Sequence, residues 1–320
     1  MAKLVQTKIY AGRIKDQDIL MKSSSGGAFT ALSDYFIRNG CAVASTIYNY
    51  ENHTAEFDLI TNEEMRNAAR GSKYMQSNSK MIFSVAEDWL NSNSEKKLLF
   101  VGTGCQCDGF RKYMEMKGLR KRVYIIDMIC HGVPSPKLWR EYAKVLEKKY
   151  YGKITKLNFK DKRNGWQFPT TIIQINNREI EIKDYIRAFT KGCMLRPSCH
   201  KCPYTMIERK TDMTIGDFWH IEKTIPDFFD PAGTSLFLIH TDAGEEIFNR
   251  VKKDLEYRES NRRQCWQMNL EKPTPVFQQR TKFWSDYQKR GVKAVMKKYG
   301  RLNVLRKVKN ELKKVKRKLR

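Results

Sequence analysis

Two runs of consecutive apolar residues, each emptying into a turn and then a helix-forming stretch, restrict this chain to an α/β fold. The first, KLLFVGTGCQCDGFRKYM at residues 97–114, carries an apolar strand through a glycine turn into a helix. The second, VYIIDMIC at residues 123–130, ends at Cys130-His131-Gly132-Val133-Pro134, and Ser135-Pro136 then opens a helix through about Lys149. Apolar runs without polar alternation mark buried strands. In open α/β sheets ligands gather beyond the carboxyl ends of the strands, which is where Cys105 and Cys130 fall.

Around these units the pattern gives a mixed sheet with helices packed on it, a β-rich insertion and a C-terminal basic helix. Residues 23–40, SSSGGAFTALSDYFIRNG, read as a helix with a serine and glycine lead, Phe29, Leu32 and Phe36 on one face, and Gly40 closing it. So bare a start leaves first-turn amides open to a phosphate, although an ordinary N-cap explains it too. Residues 41–48 are β-rich and are followed by an irregular segment. Gly71, Ser72, Lys73 and Tyr74 then combine a permissive backbone, a hydroxyl, a cation and a ring, a mixture that can hold a nucleotide. Residues 154–161 form a strand, and 170–175 pairs with 179–182 across Asn176-Asn177 as a hairpin. Strands over 212–219 and 235–241 precede a helix over 245–253, and KPTP at 272–275 marks a domain end. The expected division is a lead over 1–22, a functional domain over 23–270 in two parts (23–96 and 97–270), and a linker with a basic amphipathic tail over 271–320.

Composition narrows the class. With 320 residues and 41% hydrophobic side chains, the chain builds a core without disulfide staples. The first twenty residues lack an apolar run with a cleavage site, and no stretch approaches the ~18 apolar residues of a membrane span. A cytoplasmic location is therefore expected, where eight cysteines serve as ligands, reactive thiols or core residues. The net charge of +26 is concentrated at one end: fifteen Lys and Arg lie between Lys289 and Arg320 against the single acid Glu311. There Leu305, Val308, Leu312, Val315 and Leu319 give a cationic helix one apolar stripe, suited to an anionic membrane surface or a partner groove, or else simply solvated. Nucleic acid is not the expected partner.

The cysteines carry the chemistry. Cys199 and Cys202, in RPSCHKCP, form a Cys-x-x-Cys pair that can turn two sulfurs toward one metal. Zinc usually draws on two such pairs, and Cys105-x-Cys107 is too tight for a second. A thioredoxin-type pair opens a helix, whereas Pro197 and Pro203 hold this one in a loop. A cubane accepts ligands scattered in sequence, so Cys105, Cys130, Cys199 and Cys202 suit an iron-sulfur cluster better, with Cys107 and Cys193 as reserve ligands. Cys41 and Cys265 read as small core residues. Gly102 and Gly104 match half of a dinucleotide fingerprint, but Cys107 stands where the third glycine belongs. His131 could ligate, shuttle a proton or bond to the backbone. Asp161, Lys162 and Arg163 in FKDKRNGW and Asp217 in GDFW set charges among aromatics, as a ring-shaped cofactor with a phosphate tail requires.

Taken in order, SSSGGAFTAL, GSKYMQS, GTGCQCDGF, DMICHGVPSPKLW, FKDKRNGW and LRPSCHKCPY with DMTIGDFW resemble the coenzyme F(420) hydrogenase/dehydrogenase beta subunit family, including members found with polysaccharide-synthesis genes. The resemblance spans roughly residues 20–245. It implies an iron-sulfur flavoprotein oxidoreductase with FAD and a 4Fe-4S cluster in one α/β domain, coupling one-electron transfer to a two-electron step on a small-molecule or glycan-precursor substrate. It places the cluster on Cys105, Cys130, Cys199 and Cys202. The flavin falls against Ser25, Gly26, Gly27, Ser72, Lys73, Tyr74, Gly102, Thr103, Lys162 and Arg163, with His131 and Asp217 as catalytic candidates. No ferredoxin-like cysteine run precedes Ser23, which implies either a separate, ferredoxin-like electron donor or chemistry internal to the chain. The family's usual GTPCQ reads GTGCQC here. The competing expectation is a zinc-stabilised binding module whose basic tail contacts nucleic acid or membrane.

Overall fold

The computed structural model describes residues 4–79, 81–168 and 170–301. Its strands are β1 (Leu4–Ile14), β2 (Ala42–Asn49), β3 (Thr54–Ile60), β4 (Leu98–Thr103), β5 (Val123–Met128), β6 (Ile154–Asp161), β7 (Thr170–Ile175), β8 (Arg178–Ile182), β9 (Met213–Asp217), β10 (Ser235–Thr241) and β11 (Leu255–Ser260). Eight form one mixed sheet in the order β11-β1-β10-β9-β5-β4-β2-β3, and β6, β7 and β8 form a separate antiparallel sheet. This is the α/β architecture with a β-rich insertion expected from the sequence. Strands β2, β4, β5 and β9 are mutually parallel, with antiparallel strands on both flanks.

Burial follows position. Residues Leu98–Val101 of β4, Val123–Asp127 of β5 and all of β10 are buried, as central strands covered on both faces must be. Edge strand β11 buries only Leu255. Asn176 and Asn177 take φ of 50° and 59°, the left-handed pair that a two-residue hairpin between β7 and β8 demands.

The structure corrects three sequence expectations. Residues 1–22 are no lead: β1 lies inside the large sheet, hydrogen-bonded to β10 and β11. The segment after residue 48 is not irregular, because β3 pairs with β2 along its whole length. Nor does residue 271 begin a free linker and tail. The Arg280–Tyr299 helix buries Phe283, Val292, Val295, Met296 and Tyr299 in one core with Trp139, Tyr142 and Tyr185. The apolar stripe from Leu305 to Leu319 lies outside the described residues. Among those described, no helix is long and apolar enough to cross a membrane.

One buried histidine gives the fold a pH dependence. His240 is 1% exposed, with Nδ1 at 3.1 Å from Thr7 Oγ1 and Nε2 at 2.8 Å from Thr214 Oγ1. Burial pushes its pKa down to about 4, with Asp127 pulling it up and Arg209 down. Below its ordinary 6.5 the unfolded chain takes a proton that the folded chain refuses. Its contribution is therefore complete above pH 6.5 and declines toward pH 4 by roughly 3 kcal/mol. His240→Gln should flatten the fall in melting temperature between those pH values. An unchanged slope would remove His240 as its source.

Candidate functional site

The parallel strands deliver their carboxyl ends side by side. Thr103 of β4 pairs with Met128 of β5, and Met128 with Ile215 of β9, two residues before Asp217. Cys105 lies in the first turn of the Gly104–Met116 helix, started by a capping box between Thr103 and Gln106. Cys130 follows β5 by two residues, Cys199 lies within the 3-10 turn Pro197–Lys201, and Cys202 caps that turn.

Two glycines let these loops close on one another. Gly132, at φ 104°, has no room for a side chain: a Cβ would stand 3.0 Å from Cys199 Cβ and 2.9 Å from Leu195 Cδ1. A Cβ on Gly104 would stand 2.8 Å from Tyr204 Cβ, so glycine at this position brings the Cys105 turn against the loop leaving Cys202. Backbone bonds fix the approach, with Arg196 N–H donating to Val133 O at 3.0 Å and a bridge joining Pro134 to Leu195.

The four sulfurs sense each other. Burial raises the Cys130 thiol pKa to about 12; the Gly132 N–H, 3.3 Å from its sulfur, opposes this, and Cys105, Cys199 and Cys202 add to the rise. Cys202 is also raised, by burial first, with Cys105 and Cys199 contributing. Four cysteine sulfurs in electrostatic reach of one another suit a cationic centre. Among the described residues no three His, Cys, Asp or Glu side chains close on one point as a single ion requires. The soft thiol donor set fits a soft metal centre, whether an iron-sulfur cluster or zinc. Cys107 and Cys193 are fully buried and give their S–H to Ile126 O at 3.5 Å and Ala188 O at 3.1 Å, so both belong to the core.

Polar and aromatic groups gather beside the cysteines. Tyr74 and Cys130 are half-buried, and His131 is exposed. Asp217 accepts from Lys160 Nζ through both carboxylate oxygens at 2.5 Å. Lys160, 3% exposed, lies 5.4 Å and 5.7 Å from the ring centroids of Trp219 and Trp166, which stack at 5.0 Å. Desolvation lowers the His131 pKa, while Asp217 pulls it up and Lys160 down; burial raises the Tyr74 pKa, and Asp217 adds to that rise.

The serine-glycine loop borders the same region. Ser24 Oγ accepts from the amide and hydroxyl of Ser72 at 2.9 and 3.1 Å. Ser25 Oγ donates to Thr234 O, and a Cβ on Gly26 would collide with the Gly12 carbonyl and the Ser235 amide. Gly27, at φ 85°, precedes the Ala28–Arg38 helix, whose first turn has no side-chain cap. Buried Trp166 Nε1 and Thr234 Oγ1 lack protein partners, and Gly233 between the two segments packs on both Ser25 and Trp166. Bare helix amides and orphaned donors fit a phosphate-bearing ligand.

Not every sequence candidate reaches this region. Arg163 turns outward to Asp161 at 2.7 Å and Glu179 at 2.9 Å. Gly102 packs against Phe100 and Phe57, and Thr103 Oγ1 lies 3.3 Å from Cys105 Sγ, on the cysteine side. Lys162 directs Nζ at the carbonyls of Leu20, Ser25 and Ala232 at 2.7, 2.7 and 2.5 Å, stitching loops together. Lys73 similarly spans the carbonyls of Ala68, Ala69 and Arg70. Sequence reasoning missed Lys160 and Ser24. Lys160 was available from its spacing: two residues from Lys162, it shares that residue's inward face while Asp161 and Arg163 face out.

The mixed α/β sheet brings cysteine-bearing loops at its carboxyl edge beside the Lys160–Asp217 pair and its stacked tryptophans, and the family match gives the class, an oxidoreductase subunit. Models of the coenzyme F420 hydrogenase/dehydrogenase beta subunit match residues 9–82 with the N-terminal part and residues 95–263 with the C terminus, and the chain belongs to this family. Among solved structures, a chain of the F420-reducing [NiFe] hydrogenase complex from Methanosarcina barkeri has a similar fold. Its TM-score is 0.55 at 19% identity, over 81% of this chain and 83% of that one. No curated protein sequence matches the chain.

Proposed function

We propose that this protein is an iron-sulfur flavoprotein oxidoreductase. Cys105, Cys130, Cys199 and Cys202 would hold a 4Fe-4S cluster. FAD would lie in the region bordered by Ser25, Gly26, Gly27, Ser72 and Tyr74, with its phosphates toward the Ala28–Arg38 helix. Bound there, the two groups supply single-electron transfer and two-electron chemistry respectively. The observation that carries this reading is the adjacency of Cys130, among the cage thiols, and His131, in electrostatic reach of Asp217 and Lys160. The two compartments share that wall.

The protein's own residues bind and orient. Lys160 fixes the Asp217 carboxylate through both of its oxygens. The stacked Trp166 and Trp219 exclude water behind it. Lys162 keeps the serine-glycine loop against the Ala232 segment. The Methanosarcina relative belongs to a multi-subunit complex, which supports a partner protein here, and we propose a separate ferredoxin-like donor. The substrate side of the proposal is a small molecule or a glycan precursor.

Purification without oxygen tests the reading. We expect a brown protein containing iron, sulfide and FAD. Stoichiometric zinc without flavin would reject it.

A further inference from the structure

On the sheet side of the cysteines lies a buried ion pair with no part in the roles assigned so far. Asp127, on β5 and wholly buried, accepts from Thr211 Oγ1 at 3.0 Å and Thr214 Oγ1 at 2.5 Å and pairs with Nη1 of Arg209. Arg209 is 8% exposed, and its Nε donates to the Met206 carbonyl at 3.0 Å. The pair abuts the cage from two directions. A Cβ on Gly104, the residue before Cys105, would stand 3.2 Å from Asp127 Oδ2 and 2.8 Å from Tyr204 Cβ, so carboxylate and Cys202 loop press on the same turn. That loop is drawn tight by Thr205 Oγ1, which donates to the Cys202 carbonyl at 3.0 Å, and Arg209 follows four residues later.

We infer that Arg209 is a positioning residue whose fixed charge sets the reduction potential of the cluster held by these cysteines, an inference that rests on the function proposed above. One added electron makes the cluster more negative. A buried cation beside it, little screened by solvent, stabilises the reduced form. Asp127 anchors the guanidinium and partly offsets it.

The test is a dithionite titration with redox mediators on the full chain, purified without oxygen and followed by electron paramagnetic resonance. The titrant adds one electron, and no bond forms or breaks. Arg209→Gln should shift the oxidised-to-reduced ratio at a given ambient potential at least tenfold toward oxidised, a midpoint lower by about 59 mV for one electron. Arg209→Lys should recover most of this, and Asp127→Asn should move the midpoint upward. If Arg209→Gln does not fold, Asp127→Asn decides the matter: a raised midpoint supports the role, and a parental one overturns it. Iron-loaded variants sharing the parental midpoint would overturn the role of Arg209 and leave the cluster standing. A parent without iron would overturn both.

Discussion

Cys130→Ser protein, purified without oxygen, is expected to retain less than about a tenth of the parental iron and to lose its broad visible absorption while remaining folded. Serine is a hard, poorly ionised donor where the site calls for a soft thiolate. The loop should survive, because the Ile129 amide still bonds to the Ile215 carbonyl at 2.9 Å and Pro134 still bridges Leu195. Cys107→Ala and Cys193→Ala make the contrast. Both thiols sit in packed cores, so these variants should keep their iron and lose ~1–2 kcal/mol of stability. Iron lost from Cys107→Ala and retained in Cys130→Ser would overturn the ligand assignment.

Lys162→Met should lose flavin through repeated desalting and unfold at lower denaturant. Nζ of Lys162 serves three carbonyls, and an ammonium has three protons to give. Burial pushes its pKa down to about 7, with Lys160 adding to the fall and Asp217 opposing it, while the three carbonyls favour the protonated form. Methionine would fill the space and leave Leu20, Ser25 and Ala232 without their donor. Each buried orphan costs ~1–3 kcal/mol, so a total of ~3 kcal/mol or more is expected. Arg163→Ala, one residue on, removes an exposed ion pair and should change stability by less than about 1 kcal/mol and flavin retention not at all. Parental flavin occupancy in Lys162→Met would show that the serine-glycine loop needs no such stitch.

What the sequence discloses follows how locally each feature is encoded. Strands β4, β5 and β10 are built on the apolar runs LLFV, VYII and LFLI, and the β7–β8 hairpin is announced by Asn176-Asn177, so local pattern suffices. Strand β1 reads LVQTKIYAGRI with Lys8 and Arg13 inside it; only pairing on both sides makes it a sheet strand, and those partners are distant. The four cysteines can be nominated from their loops. Their approach depends on the tight packing of Gly104 on Tyr204 and Gly132 on Cys199, contacts that no single segment records. Arg163 illustrates the opposite hazard. Its motif draws attention to it, but it lies in the turn after β6 and pairs outward with Asp161 and Glu179, while Lys160 within β6 turns inward to Asp217.

The placement of β1 has a further consequence for how the protein comes into being. Both its neighbours, Ser235–Thr241 and Leu255–Ser260, emerge from the ribosome more than two hundred residues after it. At ~5–20 residues per second the nascent strand waits on the order of ten to forty seconds for either of them. Gly26 rests on Gly12 and Ser235 together, so the loop around it cannot settle until that late pairing has occurred. Completion of that loop is thereby deferred until β10 has been made, and a fragment ending at β9 would have Cys199 and Cys202 without the strand on which Gly26 rests.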